Sequence, residues 1–278
     1  MKIALAQIRS TPNVFENLTI VRDYAEQAQQ QGAQLVVFPE ATMFPFGEDL
    51  YTQTHRHYHQ WEQTLSEFAQ DIGIHIIAGG FAPEPSEAHR VYNQLSCAFS
   101  LDKIDKAAES EKLQYYRKIH VYDALGYRES AHIIAGKEPA LITIDGVCLG
   151  LSTCYDVRFP ELYQHLAAAG AQCMVISASW AGGPHKREQW QTLTSARALD
   201  TGSYVIAVDQ ALSPTPNSGI PSGIGYSRAI APYGEILCEL GEVSALAIVD
   251  IDLTQVERTR ESLPLLQQRQ LKTVSTTV

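Results

Sequence analysis

The chain has 278 residues, of which 45% are apolar, an ordinary fraction for a folded globular protein large enough to bury a substantial core. Its 31 acidic and 21 basic residues give a formal net charge of −10. Because phosphate recognition needs a basic surface, this charge argues against nucleic acid or an anionic membrane as the partner.

Apolar periodicity and turn residues predict strands and helices that alternate along the whole chain. Strands are predicted at 2–7, 35–38, 74–79, 92–100, 140–144, 147–151, 173–177, 204–208, 226–231 and 245–250. Helices are predicted from an Asn17 cap to about residue 31, and at 60–72, 160–169 and 189–201. Asp145-Gly146 predicts a hairpin turn, and 109–112 and 213–225 are predicted loops.

Some of these strands follow one another directly, which favours a mixed-sheet α/β fold over a purely parallel one. No composition shift or linker divides the chain. One domain is therefore predicted over residues 1–278, with a polar tail from about residue 261 that extends from the core.

The sequence shows neither a clear membrane-spanning segment nor a cysteine pattern typical of disulfides or metal binding. No stretch approaches about 18 uninterrupted apolar residues, and the apolar run after Lys2 is too short for a secretory signal, so a cytoplasmic protein without a membrane partner is predicted. The five cysteines are scattered without a C-x-x-C pair, which indicates neither a disulfide framework nor a zinc site. Cys97, Cys148 and Cys173 lie inside apolar runs and are interpreted as packing residues.

Cys154 is different, because it lies in the sequence STCYD between a buried strand and a helix that begins near Pro160. At such a junction unpaired backbone N–H groups can stabilise a thiolate and later an oxyanion. Taken alone, a cysteine after an apolar strand is more often a packing residue than a nucleophile.

Two charged residues strengthen the case for chemistry. Glu40 ends the sequence VVFPE, at the carboxyl edge of a buried strand where α/β proteins place ligand sites; a surface glutamate is the alternative. Lys118, in YYRKIH, is either a surface lysine or a cation directed into a pocket. Glu129 lies close enough in sequence to pair with that lysine.

Three separated motifs occur in the order FPE at 38–40, YRKIH at 116–120 and CYDVRFPE at 154–161. Together they resemble the nitrilase superfamily of carbon–nitrogen hydrolases, and the resemblance extends from IALAQ at 3–7 to the strand that ends at Asp250. It includes SARALD at 195–200, which is similar to the helix after the family's substrate loop. Three motifs in the right order are far more specific than any one of them.

The resemblance implies that Glu40, Lys118 and Cys154 form a Glu-Lys-Cys triad, and that Glu129 positions the lysine and the substrate. It also implies a four-layer α-β-β-α sandwich with mixed sheets, with the triad at one sheet edge. Subunits of the family commonly pair, so a homodimer or larger homo-oligomer is implied.

In the implied mechanism Glu40 accepts the thiol proton of Cys154, which attacks an amide carbon and forms a thioester. Lys118 and the backbone N–H of Tyr155 stabilise the oxyanion. Glu40 then protonates the leaving ammonia or amine and activates the water that releases the acid. Neither a metal nor an organic cofactor is expected.

The motif CYDVRFPE resembles the branch that contains ω-amidases and deaminated-glutathione amidases, which act on small carboxylic acids bearing a terminal amide or amide-like bond. Tyr155, Arg158 and Trp180 are the candidate substrate-binding residues. Arg158 is suited either to bind a substrate carboxylate or to pair with Glu161 or Asp156.

One stretch departs from the branch's pattern. The sequence SASWAGGPH at 177–185 contains Trp180 and His185, which are candidates to reshape the acyl pocket. Alternatively, Trp180 fills a sheet edge.

Other functions stay open at this point. They are an N-carbamoyl hydrolase or a nitrilase of the same fold, a catalytically idle binding subunit, and an acyltransferase. An intact Glu40, Lys118 and Cys154 argues against the idle subunit, and the lack of a predicted membrane span argues against the acyltransferase.

The cluster His55, His57 and His59 resembles a metal site only if it lies on a strand, where the three side chains would share a face. Its polar surroundings favour a solvated loop or helix face.

Overall fold

A computed structural model describes residues 1–47, 49–100, 113–213 and 221–270 of the chain. The strands are β1 (Lys2–Gln7), β2 (Leu35–Val37), β3 (His75–Pro83), β4 (Val91–Ala98), β5 (Leu113–Arg117), β6 (Asp123–Ala124), β7 (Tyr127–Arg128), β8 (Ile133–Ile134), β9 (Ala140–Ile144), β10 (Val147–Thr153), β11 (Cys173–Ala178), β12 (Tyr204–Asp209), β13 (Arg228–Ile230), β14 (Ile236–Glu239) and β15 (Ala245–Asp250). The α-helices are α1 (Val14–Gln30), α2 (Leu50–Ile72), α3 (Pro160–Ala168), α4 (Lys186–Thr201), α5 (Leu253–Ser262) and α6 (Leu265–Gln268). Short 3₁₀ turns cover Glu129–Ala131 and Cys154–Arg158.

Two mixed sheets form the centre of the molecule. The first has the order β15-β1-β2-β3-β4-β5, with β8 paired to β4, and the second has the order β14-β13-β12-β11-β10-β9. Each sheet has a parallel centre, β1-β2-β3 in one and β10-β11-β12 in the other, flanked by antiparallel strands. The predicted mixed-sheet α/β class is confirmed.

Alternation of side chains along the strands divides the core into three apolar layers. Ala4 of β1 packs in the layer beneath α1 and α2, whereas its neighbour Ile3 packs between the two sheets. In β11, Val175 faces the layer between the sheets and Ile176 faces α3 and α4. The result is the four-layer α-β-β-α sandwich that the family resemblance implies.

The start of α1 was predicted wrongly. Asn13, not Asn17, caps the helix, because its side-chain oxygen accepts a hydrogen bond from the backbone N–H of Phe15. Asn17 is fully buried one turn later, where its amide donates to the carbonyls of Thr11 and Met43. An asparagine in either position fits the sequence pattern, and only the tertiary contacts separate the two.

Helix α2 begins ten residues earlier than the predicted residue 60, so the histidine cluster lies on a helix. His55 and His59 are exposed and His57 is half-buried, with its ring 5.7 Å from that of Phe15. A helix does not bring all three side chains to one face, which removes the strand geometry that a metal site would require.

Several elements were missed because they are short or polar. They are β5, β6, β7, β8, β14, α5 and α6. Leu266 of α6 packs against the apolar layer beneath α3 and α4, so the first part of the predicted tail contacts the core, whereas 271–278 lie outside the described residues. The predicted loop at 109–112 and most of that at 213–225 lie outside the described residues. Among the described helices, none combines the length and apolarity that crossing a membrane requires.

The cysteines outside the candidate site pack as predicted, with one difference of degree. Cys97 and Cys173 are fully buried between the sheets, where burial raises the pKa of each thiol, whereas Cys148 is only half-buried. All five cysteines are free thiols.

A buried carboxyl group on α2 makes stability depend on pH. Glu62 accepts hydrogen bonds from Ser96 Oγ at 2.6 Å and Gln94 Nε2 at 3.4 Å, and burial raises its pKa to about 7 from an ordinary 4.5. The folded state therefore holds a proton that the unfolded state has lost, so stability falls as pH rises between these two values. We expect Glu62→Gln to raise the free energy of unfolding by about 1–3 kcal/mol at pH 8 and by much less at pH 5.

Urea unfolding at the two pH values measures this effect. Glu67→Gln, an exposed change on the same helix, is the matched control and should alter neither curve. If Glu62→Gln and Glu67→Gln changed the free energy of unfolding equally at both pH values, ionisation of Glu62 in the folded state would cost no stability.

Candidate active site

Glu40 follows β2 at the carboxyl edge of the first sheet and is fully buried. Its Oε1 accepts hydrogen bonds from Lys118 Nζ at 3.0 Å and Asn93 Nδ2 at 2.7 Å, and its Oε2 accepts one from the backbone N–H of Ser179 at 2.7 Å. Its main-chain carbonyl accepts a bond from the Gln210 side chain at 2.9 Å. The alternative of a surface glutamate is therefore wrong.

Lys118 follows β5 and is buried between two carboxylates. Its Nζ lies 3.0 Å from Glu40 Oε1 and 2.9 Å from both carboxylate oxygens of Glu129. Burial alone would lower the pKa of Lys118, but Glu129 and Glu40 together raise it well above its ordinary value. The lysine is thus a fixed positive charge and not a surface side chain.

Glu129 begins a 3₁₀ turn and is held by three donors. Besides Lys118, its carboxylate accepts from the backbone N–H of Tyr122 and from Asn93 Nδ2, the latter at 3.3 Å. Asn93, in β4, therefore bridges both glutamates. Sequence analysis missed Asn93, although an amide in the middle of an otherwise buried strand is a signal that a polar network lies nearby.

Cys154 stands at the end of β10 with φ +47°, in the left-handed region that non-glycine residues rarely adopt. Its Sγ lies 3.8 Å from the carbonyl oxygen of Ser179, whose N–H binds Glu40. Ser179, the residue directly after β11, thus contacts both the thiol and the carboxylate.

The surroundings of Cys154 favour the protonated thiol over the thiolate. Burial and the nearby Glu40 carboxylate raise its pKa well above the ordinary value, and Lys118 only partly offsets them. The pKa of Glu40 is also raised, chiefly by burial, with Lys118 opposing. A buried carboxyl group with a raised pKa beside a protonated thiol is suited to exchange a proton with it.

Asp156 anchors the turn that carries Cys154. It is fully buried and accepts from the backbone N–H of Thr153 at 2.9 Å and from Tyr116 Oη at 2.6 Å. Its other oxygen accepts from the His120 backbone N–H at 3.0 Å and lies 2.7 Å from His120 Nδ1. Asp156 therefore ties the cysteine turn to the segment around Lys118, a role that the sequence did not reveal.

Arg158 does not make the structural pairs considered for it. Its Nη2 donates to Gln189 Oε1 at 2.6 Å, and its guanidinium carbon lies 5.0 Å from the centre of the Trp180 ring. Within the described ranges no carboxylate lies within 4 Å of the guanidinium, so neither Glu161 nor Asp156 pairs with it.

All seven predicted site residues line one cleft of about 350 Å³, its mouth included. These residues are Glu40, Lys118, Glu129, Cys154, Tyr155, Arg158 and Trp180. Sequence analysis missed other lining residues, among them Phe46, Tyr122, Tyr127, Ser179, Lys186 and Pro221. No group of three or more His, Cys, Asp or Glu side chains is placed to hold a metal ion in the parts of the chain described.

The loop after β11 differs from expectation at one position. Trp180 is 2% exposed, lines the cleft, and packs on Trp190 of α4. Its backbone N–H donates to buried Asp209 at 2.7 Å, which fixes the loop. His185, predicted to reshape the pocket, is exposed and lies outside the cleft lining, where the next residue, Lys186, is found instead.

Gly79 of β3 makes room for the turn that carries Glu40. A Cβ atom there would lie 2.4 Å from the carbonyl oxygen of Pro39 and 2.5 Å from Glu40 Cα, contacts that only backbone movement relieves. We expect Gly79→Ala to lower stability by about 1–3 kcal/mol and turnover by roughly 10²-fold, because Glu40 is displaced.

Melting temperature and kcat measured on the same preparations test this expectation. Gly241→Ala is the control, since a Cβ there meets nothing within 4 Å. Normal turnover in a destabilised Gly79→Ala protein would show that the position of Glu40 tolerates the shift.

Comparison with known proteins agrees with this geometry. The family model for carbon–nitrogen hydrolases matches residues 2–261. Hydrolase Rv0480c of Mycobacterium tuberculosis is 41% identical over 273 residues, covering 96% of this chain and 95% of the relative. The deaminated glutathione amidase of Synechocystis sp. is 34% identical over 275 residues, covering 96% and 97%.

Solved structures give the same result. The NitN amidase from Nesterenkonia sp. AN1 superposes with a TM-score of 0.77 at 27% identity, over 97% of this chain and 96% of that one. Saccharomyces cerevisiae Nit3, a member of branch 10 of the nitrilase superfamily, superposes with a TM-score of 0.82 at 25% identity, over 98% and 97%. The predictions of an enzyme and of its superfamily are confirmed: the chain belongs to the carbon–nitrogen hydrolase family.

Proposed function

We propose that the protein hydrolyses an amide of a small, carboxylate-bearing acid through a thioester on Cys154. The observation that carries this proposal is the buried ammonium of Lys118 between Glu40 and Glu129, together with the Ser179 backbone that holds both Glu40 and the thiol. Such an arrangement places a nucleophile, a proton acceptor and a positive charge at one point of a poorly solvated cleft.

The steps follow from these groups. Glu40 accepts the proton of the Cys154 thiol as sulfur attacks the carbonyl carbon, and the negative charge on oxygen is stabilised by Lys118 and the backbone N–H of Tyr155. The carbon–nitrogen bond then breaks as Glu40 returns the proton to the leaving nitrogen. Next, Glu40 takes a proton from water, whose oxygen attacks the thioester. The carbon–sulfur bond breaks, the thiolate recovers a proton, and the acid leaves.

Glu129 acts through Lys118 in this scheme. Both of its carboxylate oxygens bind Nζ at 2.9 Å, so the ammonium stays charged and directed at the cleft. Glu129 is therefore a positioning residue, whereas Glu40, Lys118 and Cys154 touch the reacting atoms.

Two observations support an amide with a carboxylate on its acyl side. Arg158 lines the cleft without an acidic partner in the residues described, and relatives include a deaminated glutathione amidase and an ω-amidase from Arabidopsis thaliana at 32% identity. A variant of the Nesterenkonia amidase carries the acetamide moiety of fluoroacetamide on its active-site cysteine, which supports the sulfur of Cys154 as the nucleophile here.

The test is a panel of small ω-amides, deaminated glutathione, N-carbamoyl amino acids and simple nitriles, with Cys154→Ala as the control. Ammonia release is scored for each compound, and free amino acid is also scored for deaminated glutathione, because that bond releases no ammonia. Cysteine-dependent turnover of an anionic ω-amide or of deaminated glutathione is expected. Turnover of nitriles or carbamoyl compounds alone would identify one of the rival enzymes, and silence throughout would favour an idle binding subunit.

Homodimer formation and a cytoplasmic location stay predictions, as does the absence of any cofactor.

A further inference from the structure

Lys186 is a cation in the cleft that the proposed reaction steps do not use. It is the first residue of α4, is only 7% exposed, and lines the cleft together with Cys154 and Arg158. Its Nζ lies 5.4 Å from the centre of the Trp180 ring and 5.5 Å from that of Tyr122. Lysine side chains are rarely buried to this extent, so the burial of Lys186 needs a structural or functional explanation.

The backbone before α4 delivers this side chain to the cleft. Gly183 has φ +134° and His185 has φ +59°, so the chain reverses sharply just before the helix begins. The indole Nε1 of Trp180 donates to the Lys186 carbonyl at 2.9 Å, which fixes the first turn of the helix against the cleft wall. The fold therefore fixes the position of Lys186, and its side chain does not lie on the protein surface.

The charges of the cleft are unbalanced without a ligand. Lys118, Arg158 and Lys186 face two carboxylates, Glu40 and Glu129, which leaves one positive charge in excess when all five are ionised. Both carboxylates are bound by Lys118, and no carboxylate of the described residues lies within 4 Å of Lys186 Nζ.

The excess charge is concentrated at the end of the cleft that Arg158 and Lys186 share. Burial and the neighbouring Arg158 lower the pKa of Lys186, in keeping with the absence of a carboxylate within 4 Å of its Nζ among the described residues. The rings of Trp180 and Tyr122 offer only the weak attraction of a cation for an aromatic face. A single carboxylate brought in by a ligand would neutralise the cleft.

We propose that Lys186 and Arg158 together bind one carboxylate of the substrate's acyl chain, which makes Lys186 a specificity-determining residue. This inference rests on the proposed function. It assigns the preference for monoamides of dicarboxylic acids over neutral amides to a pair of cations, one from the cysteine turn and one from the start of α4.

Direct binding tests the inference without turnover. Succinamate and its uncharged counterpart butyramide are titrated by calorimetry into Cys154→Ala protein, with and without Lys186→Met. We expect the second change to raise the Kd of succinamate about 10- to 100-fold, the effect of one charge-assisted hydrogen bond, and to raise that of butyramide far less. Lys186→Arg should recover most of the affinity.

Lys137→Met is the matched control, because it removes the same charge from an exposed position outside the cleft. In the proteins with Cys154 intact, the kcat/KM ratio of succinamate to butyramide should fall with Lys186→Met, mainly through KM. Melting temperatures show whether each variant is folded.

The outcomes separate the two proposals. Equal effects of Lys186→Met on both ligands, no effect on either, or no preference of the parent protein for succinamate would overturn the role of Lys186. Cysteine-independent turnover would overturn the proposed function, while the titrations would still decide whether the cation pair binds a carboxylate.

Discussion

Replacing Cys154 with alanine is expected to lower turnover by at least about 10⁴-fold while the protein stays folded. The thiol supplies the only sulfur nucleophile among the described lining residues of the cleft, and no neighbouring side chain stands in for it. Alanine keeps the Cβ that the left-handed backbone already accommodates at this position, so the free energy of unfolding should change by no more than about 1 kcal/mol.

Three measurements on the same protein check this result. They are steady-state turnover, thermal unfolding, and intact mass after a rapid acid quench in the presence of substrate, which reveals the acyl group on sulfur. Cys148→Ala, a half-buried cysteine far from the cleft lining, should retain both activity and adduct. Collapse of the Cys154→Ala fold would mark the thiol as structural, and an adduct that survives the change would place the nucleophile elsewhere.

Lys118→Met is expected to be nearly inactive and also strongly destabilised. Removing the ammonium leaves two buried carboxylates without their shared partner, a change that typically costs about 3–5 kcal/mol. The pKa of Glu40, already raised by burial, rises further once Lys118 no longer opposes it. The folded variant then holds a proton on Glu40 that the unfolded chain releases above its ordinary pKa of 4.5.

The destabilisation of Lys118→Met should therefore be modest at pH 5 and should grow as pH rises toward 8. Urea unfolding at several pH values measures it, with kcat measured in parallel. Adding Glu129→Gln removes one of the stranded charges, so the double variant should regain stability at pH 8 without regaining turnover. Substantial kcat in Lys118→Met would remove the lysine from oxyanion stabilisation, and a pH-independent loss would show that its charge is not what holds the carboxylates.

Elements whose conformation depends on one or two local residues were predicted correctly from the sequence. The Asp145-Gly146 pair forms the hairpin between β9 and β10 with φ values of +48° and +80°, because few residues tolerate that geometry. Prediction failed where two positions satisfy the same local rule, as with Asn13 and Asn17, and where polar residues continue a helix, as at the start of α2. Tertiary contacts decide where such helices begin, and these contacts cannot be inferred from a single sequence.

The candidate site shows the same division. The three motifs contain Glu40, Lys118 and Cys154, which meet in the cleft, but the residues that support them could not be found in this way. Asn93 bridges the glutamates from inside a strand, and Asp156 binds four polar groups, one from its own turn and three from residues 116–120. His185 was predicted for the cleft and Lys186 was not. Which of these two neighbours enters the cleft depends on the residue at which α4 begins, and the sequence alone does not fix that residue.

The two sheets divide the chemistry between them, since Glu40 and Lys118 follow strands of the first and Cys154 and Ser179 follow strands of the second. Hydrogen bonds between the two sheets, such as Ser177 Oγ to the Phe38 carbonyl at 2.8 Å and Tyr116 Oη to Asp156 at 2.6 Å, fix their alignment together with apolar packing. A slide of one sheet over the other thus changes the separation of thiol and base directly. We therefore expect the loss of a methyl group at Val37 or Leu149, which are both buried between the sheets, to change the reaction rate by shifting this separation.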